Sequence, residues 1–338
     1  MNISIINYPF YKFRIFKYKF KGGPYIFLRR LTDVFENEVD LKIKPFFLKN
    51  DLTLYLGGKT INNNKKYLLR LDGVNIDVRD RLRIQKHKII EDNIKNCSGI
   101  IFHSEYCKLI HEKFFNLKEK KIKIIHNGVP LQQFTKYGNN LREKIKYNSN
   151  DFVIICSARW TRRHKRLIEI IEFFNILKHN EDKLSLKLLV LGEVPKNLNI
   201  KDNDIYFAGD IDVKNLPEWY RTANLFIHLA WIEPSGNAHL EAIACGLPVL
   251  CVNNGGLKET IKLTKSGIIS HADKNYNYEL VDYYNPPKPN YSILMEDFKK
   301  ILTNYEEIKK SIDLSPIDIR NTAKQYKNFI NEIYNQKK

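Results

Sequence analysis

Short apolar, β-branched runs alternate with longer charged stretches along most of this chain. In the first 150 residues the runs at 3–6, 39–47, 52–56, 67–71, 99–103 and 123–126 read as strands. Gly22-Gly23-Pro24 opens a predicted helix through Phe27, Leu28, Leu31 and Phe35. Residues 79–95 and 106–115 also space their apolar positions as helices do. The stretch 136–150 is polar, rich in Asn and Lys, and predicts a linker. The alternation then restarts, with strands at 152–157, 186–191, 205–207, 225–229 and 249–252 and helices at 165–179, 216–223 and 238–245. Beyond about residue 296 the chain is charged and helical, with Pro316 breaking it in two. Such alternation implies parallel sheets with helices on both faces. The fold class expected is therefore α/β, two Rossmann-like domains with parallel sheets facing each other across a cleft. The boundaries expected are 1–135, a linker at 136–150, 151–315, and a final helical segment at 316–338.

Composition narrows the class. With 338 residues, 43% hydrophobic and 12% aromatic, the chain has too much apolar material for a disordered protein and more length than one core usually fills. No apolar run approaches the roughly 18–20 residues of a spanning helix. The formal net charge of +18 favours anionic partners: nucleic acid, an anionic membrane surface or phosphate-bearing small molecules. The lysines are interspersed with Asn, Ile and Tyr rather than gathered in a stripe, so no nucleic acid is expected as partner. Cys97, Cys107, Cys156, Cys245 and Cys251 are odd in number and lack C-x-x-C spacing. Reduced, buried thiols are the simplest account, and the N-terminal residues carry no secretion signal, so a cytoplasmic location is expected.

The segment from Leu225 to Glu259 holds most of the chemistry. It reads strand, loop, helix, turn, strand, loop, with two carboxylates, Glu233 and Glu241, eight positions apart. Glu233 follows a strand, and Pro234, Ser235 and Gly236 lead into the helix that carries Glu241. The free N–H groups near Gly236, Asn237 and Ala238 suit an anion. Gly246-Leu247-Pro248 stops the helix, and Gly255-Gly256 permits backbone to approach a ligand closely.

This arrangement resembles the donor-binding signature of the retaining GT-B glycosyltransferases of family 4 (glycosyl transferases group 1). There a Glu, seven residues and a second Glu open an E-A-x-A-x-G-x-P-V run, which stands here as Glu241-Ala242-Ile243-Ala244-Cys245-Gly246-Leu247-Pro248-Val249. Ser157-Ala158-Arg159-Trp160 with Lys165-Arg166-Leu167 looks like the family's basic pair, although five residues rather than the commoner four separate Arg159 from Lys165. Gly22-Gly23-Pro24 looks like its glycine loop, set farther from the first strand than usual by residues 10–21. Ser104 and Asn127-Gly128-Val129-Pro130 match two further landmarks. The likeness covers roughly residues 20–265.

The resemblance implies a sugar transfer from a nucleotide-diphosphate sugar to an acceptor hydroxyl with retention at the anomeric carbon. It also implies a C-terminal helix returning to the N-domain. Arg159 and Lys165, with Arg166 as understudy, would hold the diphosphate; Glu241 would take the ribose hydroxyls and Glu233 the sugar hydroxyls. Gly236, Asn237, Ala238, Gly22 and Gly23 would approach the donor through their backbones. Where many members carry a His after the fourth strand, this chain has Asp72; His103 is the second candidate to act on the acceptor. Fixed cations beside a departing diphosphate lower the barrier to transfer, so no metal or other cofactor is expected. Asp210-Ile211-Asp212 has a metal-holding D-x-D form but sits where a turn is expected. Sugar, lipid-linked or protein acceptors and peripheral contact with an anionic membrane are all compatible with the charge. Epimerase or hydrolase chemistry on the same fold is the alternative, with a basic nucleic-acid binder behind it.

Overall fold

A computed structural model describes residues 1–6, 22–39, 41–44, 49, 51–57 and 66–335. The chain divides into two compact units. The first comprises Met1–Pro130, Asn277–Val281 and Ser315–Lys338, the second Leu131–Tyr276 and Asp282–Leu314.

The first unit is built on six parallel strands, β1 (Asn2–Ile6), β2 (Lys42–Ile43), β3 (Leu52–Leu56), β4 (Tyr67–Leu71), β5 (Gly99–Phe102) and β6 (Ile122–Ile124), in the order β2-β1-β3-β4-β5-β6. Residues in β3, β4 and β5 are buried throughout, which is why they read as unbroken apolar runs and not as alternation. Arg70 interrupts β4 and is still buried: its guanidinium lies 4.3 Å from the Phe27 ring, 2.8 Å from Asp72 and 2.9 Å from the Asn127 amide oxygen. Helix α1 (Gly23–Asn37) buries Phe27, Leu28, Leu31, Val34 and Phe35 on one stripe. Helices α2 (Arg83–Asn96) and α3 (Glu105–Phe114) follow β4 and β5.

The 79–95 helix starts late, at Arg83. The side chains of Asp77 and Asp80 accept the backbone N–H groups of Arg79 and Leu82 at 3.0 and 2.8 Å, so local turns replace the first helical turn. Of the strand expected at 39–47, the described part is the short β2; residues 45–48, like the stretch 10–21, lie outside the described residues.

The second unit repeats the plan with β7 (Phe152–Ser157), β8 (Leu186–Leu191), β9 (Ile205–Gly209), β10 (Leu225–His228), β11 (Val249–Val252) and β12 (Gly267–Ser270), ordered β12-β11-β10-β7-β8-β9. Helices α4 (Leu167–Asn180), α5 (Leu216–Thr222), α6 (Ala238–Ala244), α7 (Leu257–Thr264), α8 (Tyr291–Thr303) and α9 (Tyr305–Ser311) cover it. The stretch 136–150 packs as part of this unit. Arg142 holds it there, donating to the carbonyls of Asn148, Asp151 and Thr222 and to the Asn224 side chain at 2.7–3.1 Å.

After Pro316 the last helix, α10 (Ile319–Asn335), joins the first unit. Its stripe of Ala323, Tyr326, Phe329, Ile330 and Ile333 enters the same core as α1, with Tyr326 6.2 Å from both Phe27 and Phe35. The return is tight at Gly128. A Cβ there would stand 2.6 Å from the Ile319 Cα and 2.7 Å from the Thr322 hydroxyl. We therefore expect Gly128→Ala to cost about 1–3 kcal/mol, seen as a lowered midpoint in thermal unfolding; an unchanged midpoint would mean that α10 does not dock as described.

Candidate active site

In the second unit the sheet reverses direction of growth between β7 and β10, since β8 and β9 extend one way and β10, β11 and β12 the other. Ligands of open α/β sheets sit at such a switch point, outside the carboxyl ends of the strands. The loops that leave β7 and β10 are therefore the ones to examine.

After β7 the chain makes two successive turns, Arg162 N–H to Arg159 carbonyl at 3.2 Å and Lys165 N–H to Arg162 carbonyl at 3.0 Å. Residues Arg163–Lys165 form a 3₁₀ turn, and Arg166 adopts the left-handed region with φ 61°. That break, absent from the expected 165–179 helix, turns the Lys165 side chain away from the Arg166 side chain. After β10 the loop from Leu229 carries Glu233, and Trp231 N–H donates to the His164 carbonyl at 2.8 Å, tying the two loops together. The result is a direct ion pair between the Lys165 ammonium and the Glu233 carboxylate, with side chains only 11% and 15% exposed.

The backbone of Glu233 is clamped from behind. Gly256 N–H donates to its carbonyl at 2.9 Å, and a Cβ on Gly255, φ 89°, would lie 2.3 Å from that oxygen. Gly255 thus serves the approach of Glu233's own backbone, not of a ligand. The preceding Ile232 is held at φ 91° although it is β-branched and 1% exposed. Such a conformation persists only where the surroundings enforce it.

Electrostatics follow from this geometry. Burial pushes the Glu233 carboxyl up, but the charge of Lys165 and its hydrogen bond outweigh it and hold the group at about 2. Two imidazoles flank the pair. Burial, reinforced by Lys165, pushes both His228 and His164 down to about 4. His228 Nδ1 accepts the Ala230 N–H at 3.3 Å, which leaves its proton on Nε2. At neutral pH the site presents a cation, a fixed carboxylate and neutral imidazoles.

Glu241 lies 4% exposed in α6 and accepts the Tyr220 hydroxyl at 3.1 Å; burial, then the charge of Glu241, holds that phenol well above its ordinary value. Gly236, Asn237 and Ala238 lead into the same helix, Asn237 at its N-cap position. Arg159 is exposed just past β7. Arg166 is not brought to the site. Fully buried, it contacts both Asp273 oxygens at 2.9–3.0 Å and donates to the Leu229 carbonyl at 3.1 Å, so it braces the loops from beneath. Asp212 accepts the Lys214 N–H at 3.0 Å, as expected of a turn.

Gly22, Gly23 and Asp72 belong to the first unit. Gly22 caps α1 with φ 142°, and Gly23 opens the helix. Asp72 pairs with Arg70, and its backbone carbonyl lies 2.6 Å from His103 Nε2. His103 is 3% exposed, with its Nε2 against that carbonyl and 3.7 Å from the Asp72 carboxylate.

The comparisons with known proteins fall on the same elements. The family model for glycosyl transferases group 1 matches residues 139–279. This segment is similar to a glycosyl transferases group 1 domain. Mannosylfructose-phosphate synthase of Agrobacterium fabrum is 24% identical over 221 residues, covering 60% of this chain and 48% of that protein. The chain spans about half the length of the first curated relatives it matches. Among solved structures, sucrose-phosphate synthase from Thermosynechococcus elongatus superposes with a TM-score of 0.69 at 13% identity over 98% of both chains. Anabaena HepE in complex with UDP-glucose gives 0.64 at 13% identity, over 98% of this chain and all of that one. These likenesses give the fold, which is GT-B. Among the described residues no helix is long and apolar enough to cross a membrane.

His228, His164 and Tyr220 escaped the sequence reading, because no spacing marks a histidine or tyrosine as the neighbour of a distant ion pair. The depressed carboxyl of Glu233 has a testable sign. Its stabilising contribution is complete above pH 4.5 and is lost as pH falls toward 2. The gap in unfolding midpoint between wild type and Glu233→Gln should therefore be constant above pH 4.5 and shrink below it; a gap independent of pH would contradict the ion pair.

Proposed function

We propose that the chain is a retaining glycosyltransferase of family 4, moving a sugar from a nucleotide-diphosphate sugar to an acceptor hydroxyl. The observation that carries this reading is the Lys165–Glu233 pair at the β7/β10 switch point, in a segment similar to glycosyl transferases group 1. The UDP-glucose bound by HepE supports a sugar nucleotide as donor.

In this account Lys165 and the exposed Arg159 bind the diphosphate. As the bond from the anomeric carbon to the β-phosphate oxygen breaks, negative charge grows on that phosphate and the two cations stabilise it. The acceptor oxygen attacks from the same face, and its proton passes to the departing phosphate oxygen. Glu233, held ionised by Lys165 in the free protein, accepts hydrogen bonds from sugar hydroxyls and favours positive charge at the anomeric carbon. Glu241, oriented by Tyr220, receives the ribose hydroxyls. Gly236, Asn237 and Ala238 offer backbone N–H groups to the donor. Cations supply the charge neutralisation, so the reaction runs without a metal. The five buried free thiols suit a reducing, cytoplasmic setting.

The test is product analysis with a panel of sugar nucleotides, with and without candidate acceptors. Transfer dependent on acceptor, with the anomeric configuration kept, is expected. Lys165→Ala, Glu233→Ala and Glu241→Ala should each reduce it at least about tenfold. Sugar release at the same rate without acceptor would assign a hydrolase, and full transfer in all three variants would remove the site assignment.

A further inference from the structure

The first unit carries a surface that the transfer reaction does not use. Val78, Leu82 and Ile84 are 51%, 56% and 77% exposed, and Ile84 is the most exposed large hydrophobic side chain among the described residues. Leu280, 40% exposed, lies on the segment bridged to this one: Val78 N–H donates to the Val281 carbonyl and Val281 N–H to the Ile76 carbonyl, each at 2.9 Å. Val78, Leu82 and Ile84 fall within seven residues of chain, and the backbone bridge brings the Leu280–Val281 segment beside them. Residues 78–88 hold Arg79, Arg81, Arg83, Lys86 and Lys88 against one carboxylate, Asp80, while Asp77, Glu279 and Asp282 lie on the flanking bridged segments, so cations remain in excess around the patch.

The local structure makes the patch firm. Asp77 and Asp80 fix the turns before α2 through the Arg79 and Leu82 N–H groups, and Lys86 pairs with Asp80 at 2.5 Å. Within α2, Ile90, Asn93 and Ile94 face the core, leaving Ile84 and Lys88, one turn apart, on the solvent side. A preformed surface loses little freedom on binding.

We infer that this turn and the start of α2 dock the protein on an anionic lipid bilayer. Aliphatic side chains interleaved with cations match a boundary where acyl chains meet anionic headgroups: Val78, Leu82, Ile84 and Leu280 enter the acyl region while Arg81, Arg83 and Lys88 meet the headgroups. Single-stranded nucleic acid would call for aromatic side chains on which bases stack, and a protein partner for an aromatic anchor; the exposed apolar side chains of residues 78–84 are all aliphatic. The docking is peripheral and reversible, set by several small contributions.

The experiment is co-sedimentation of the full chain with vesicles of phosphatidylcholine alone or mixed with phosphatidylglycerol. Binding to the mixed vesicles only is expected, weakening as salt rises. Leu82→Glu combined with Ile84→Glu should reduce the partition at least about tenfold, and Arg81→Gln with Lys88→Gln by a similar factor. Lys201→Gln with Lys310→Gln, exposed lysines elsewhere, should leave it unchanged. Equal sedimentation with both vesicle types would overturn the inference, as would identical losses in the Lys201/Lys310 control. Nucleic-acid binding lost in the patch variants, without vesicle binding, would reassign the surface and overturn it too. The readout is binding, so its outcome is independent of whether sugar transfer occurs.

Discussion

The candidate site depends on one constraint: a carboxylate held against an ammonium at the end of two central strands, with the carboxylate's backbone unable to withdraw. Glu233 cannot retreat because Gly255 and Gly256 close on its carbonyl, and Lys165 cannot swing away without leaving two poorly hydrated charges apart. Separating a buried pair costs far more than an exposed pair contributes. The strained Ile232 shows how tightly the loop is determined. The arrangement is preorganised: a phosphate arriving at Lys165 meets a cation already in place and exchanges one anionic partner for another.

Both loops rest on buried polar braces that touch no substrate in this account. Arg166 and Asp273 pin the loop after β10 from below through the Leu229 carbonyl. In the first unit Arg70 plays the comparable part, joining β4 to α1 through Phe27, to Asp72, and to Asn127 ahead of the Gly128 approach. Each is an arginine inside an otherwise apolar layer: Arg70 reaches Asn127 and Asp72 through one guanidinium nitrogen, and Arg166 reaches Leu229 and Asp273. Rigid sheets with such braces let short loops carry chemistry.

Most strands were legible because strands buried on both faces appear as unbroken runs of Ile, Leu and Val, as at 152–157 and 186–191. β12 was missed, since Gly267–Ser270 is short and follows a polar stretch. Residues 136–150 read as a linker because Arg142, not an apolar core, satisfies much of their backbone. Within the site, Glu233 and Glu241 were legible from their spacing. The partnership of Lys165 with Glu233 spans 68 positions and had no local signature. Arg166 read as a phosphate ligand because a basic pair beside a helix start looks alike whichever member turns inward; the left-handed break at that residue decides it.

The central claim is that Lys165, balanced by Glu233 in the free protein, is the cation that receives a diphosphate. Calorimetric titration of UDP into wild type, Lys165→Met and Glu233→Gln tests it most directly. The account predicts that Lys165→Met weakens UDP binding by about tenfold or more, while Glu233→Gln, which frees the ammonium, binds UDP at least as tightly as wild type. Undiminished UDP affinity in Lys165→Met would contradict it.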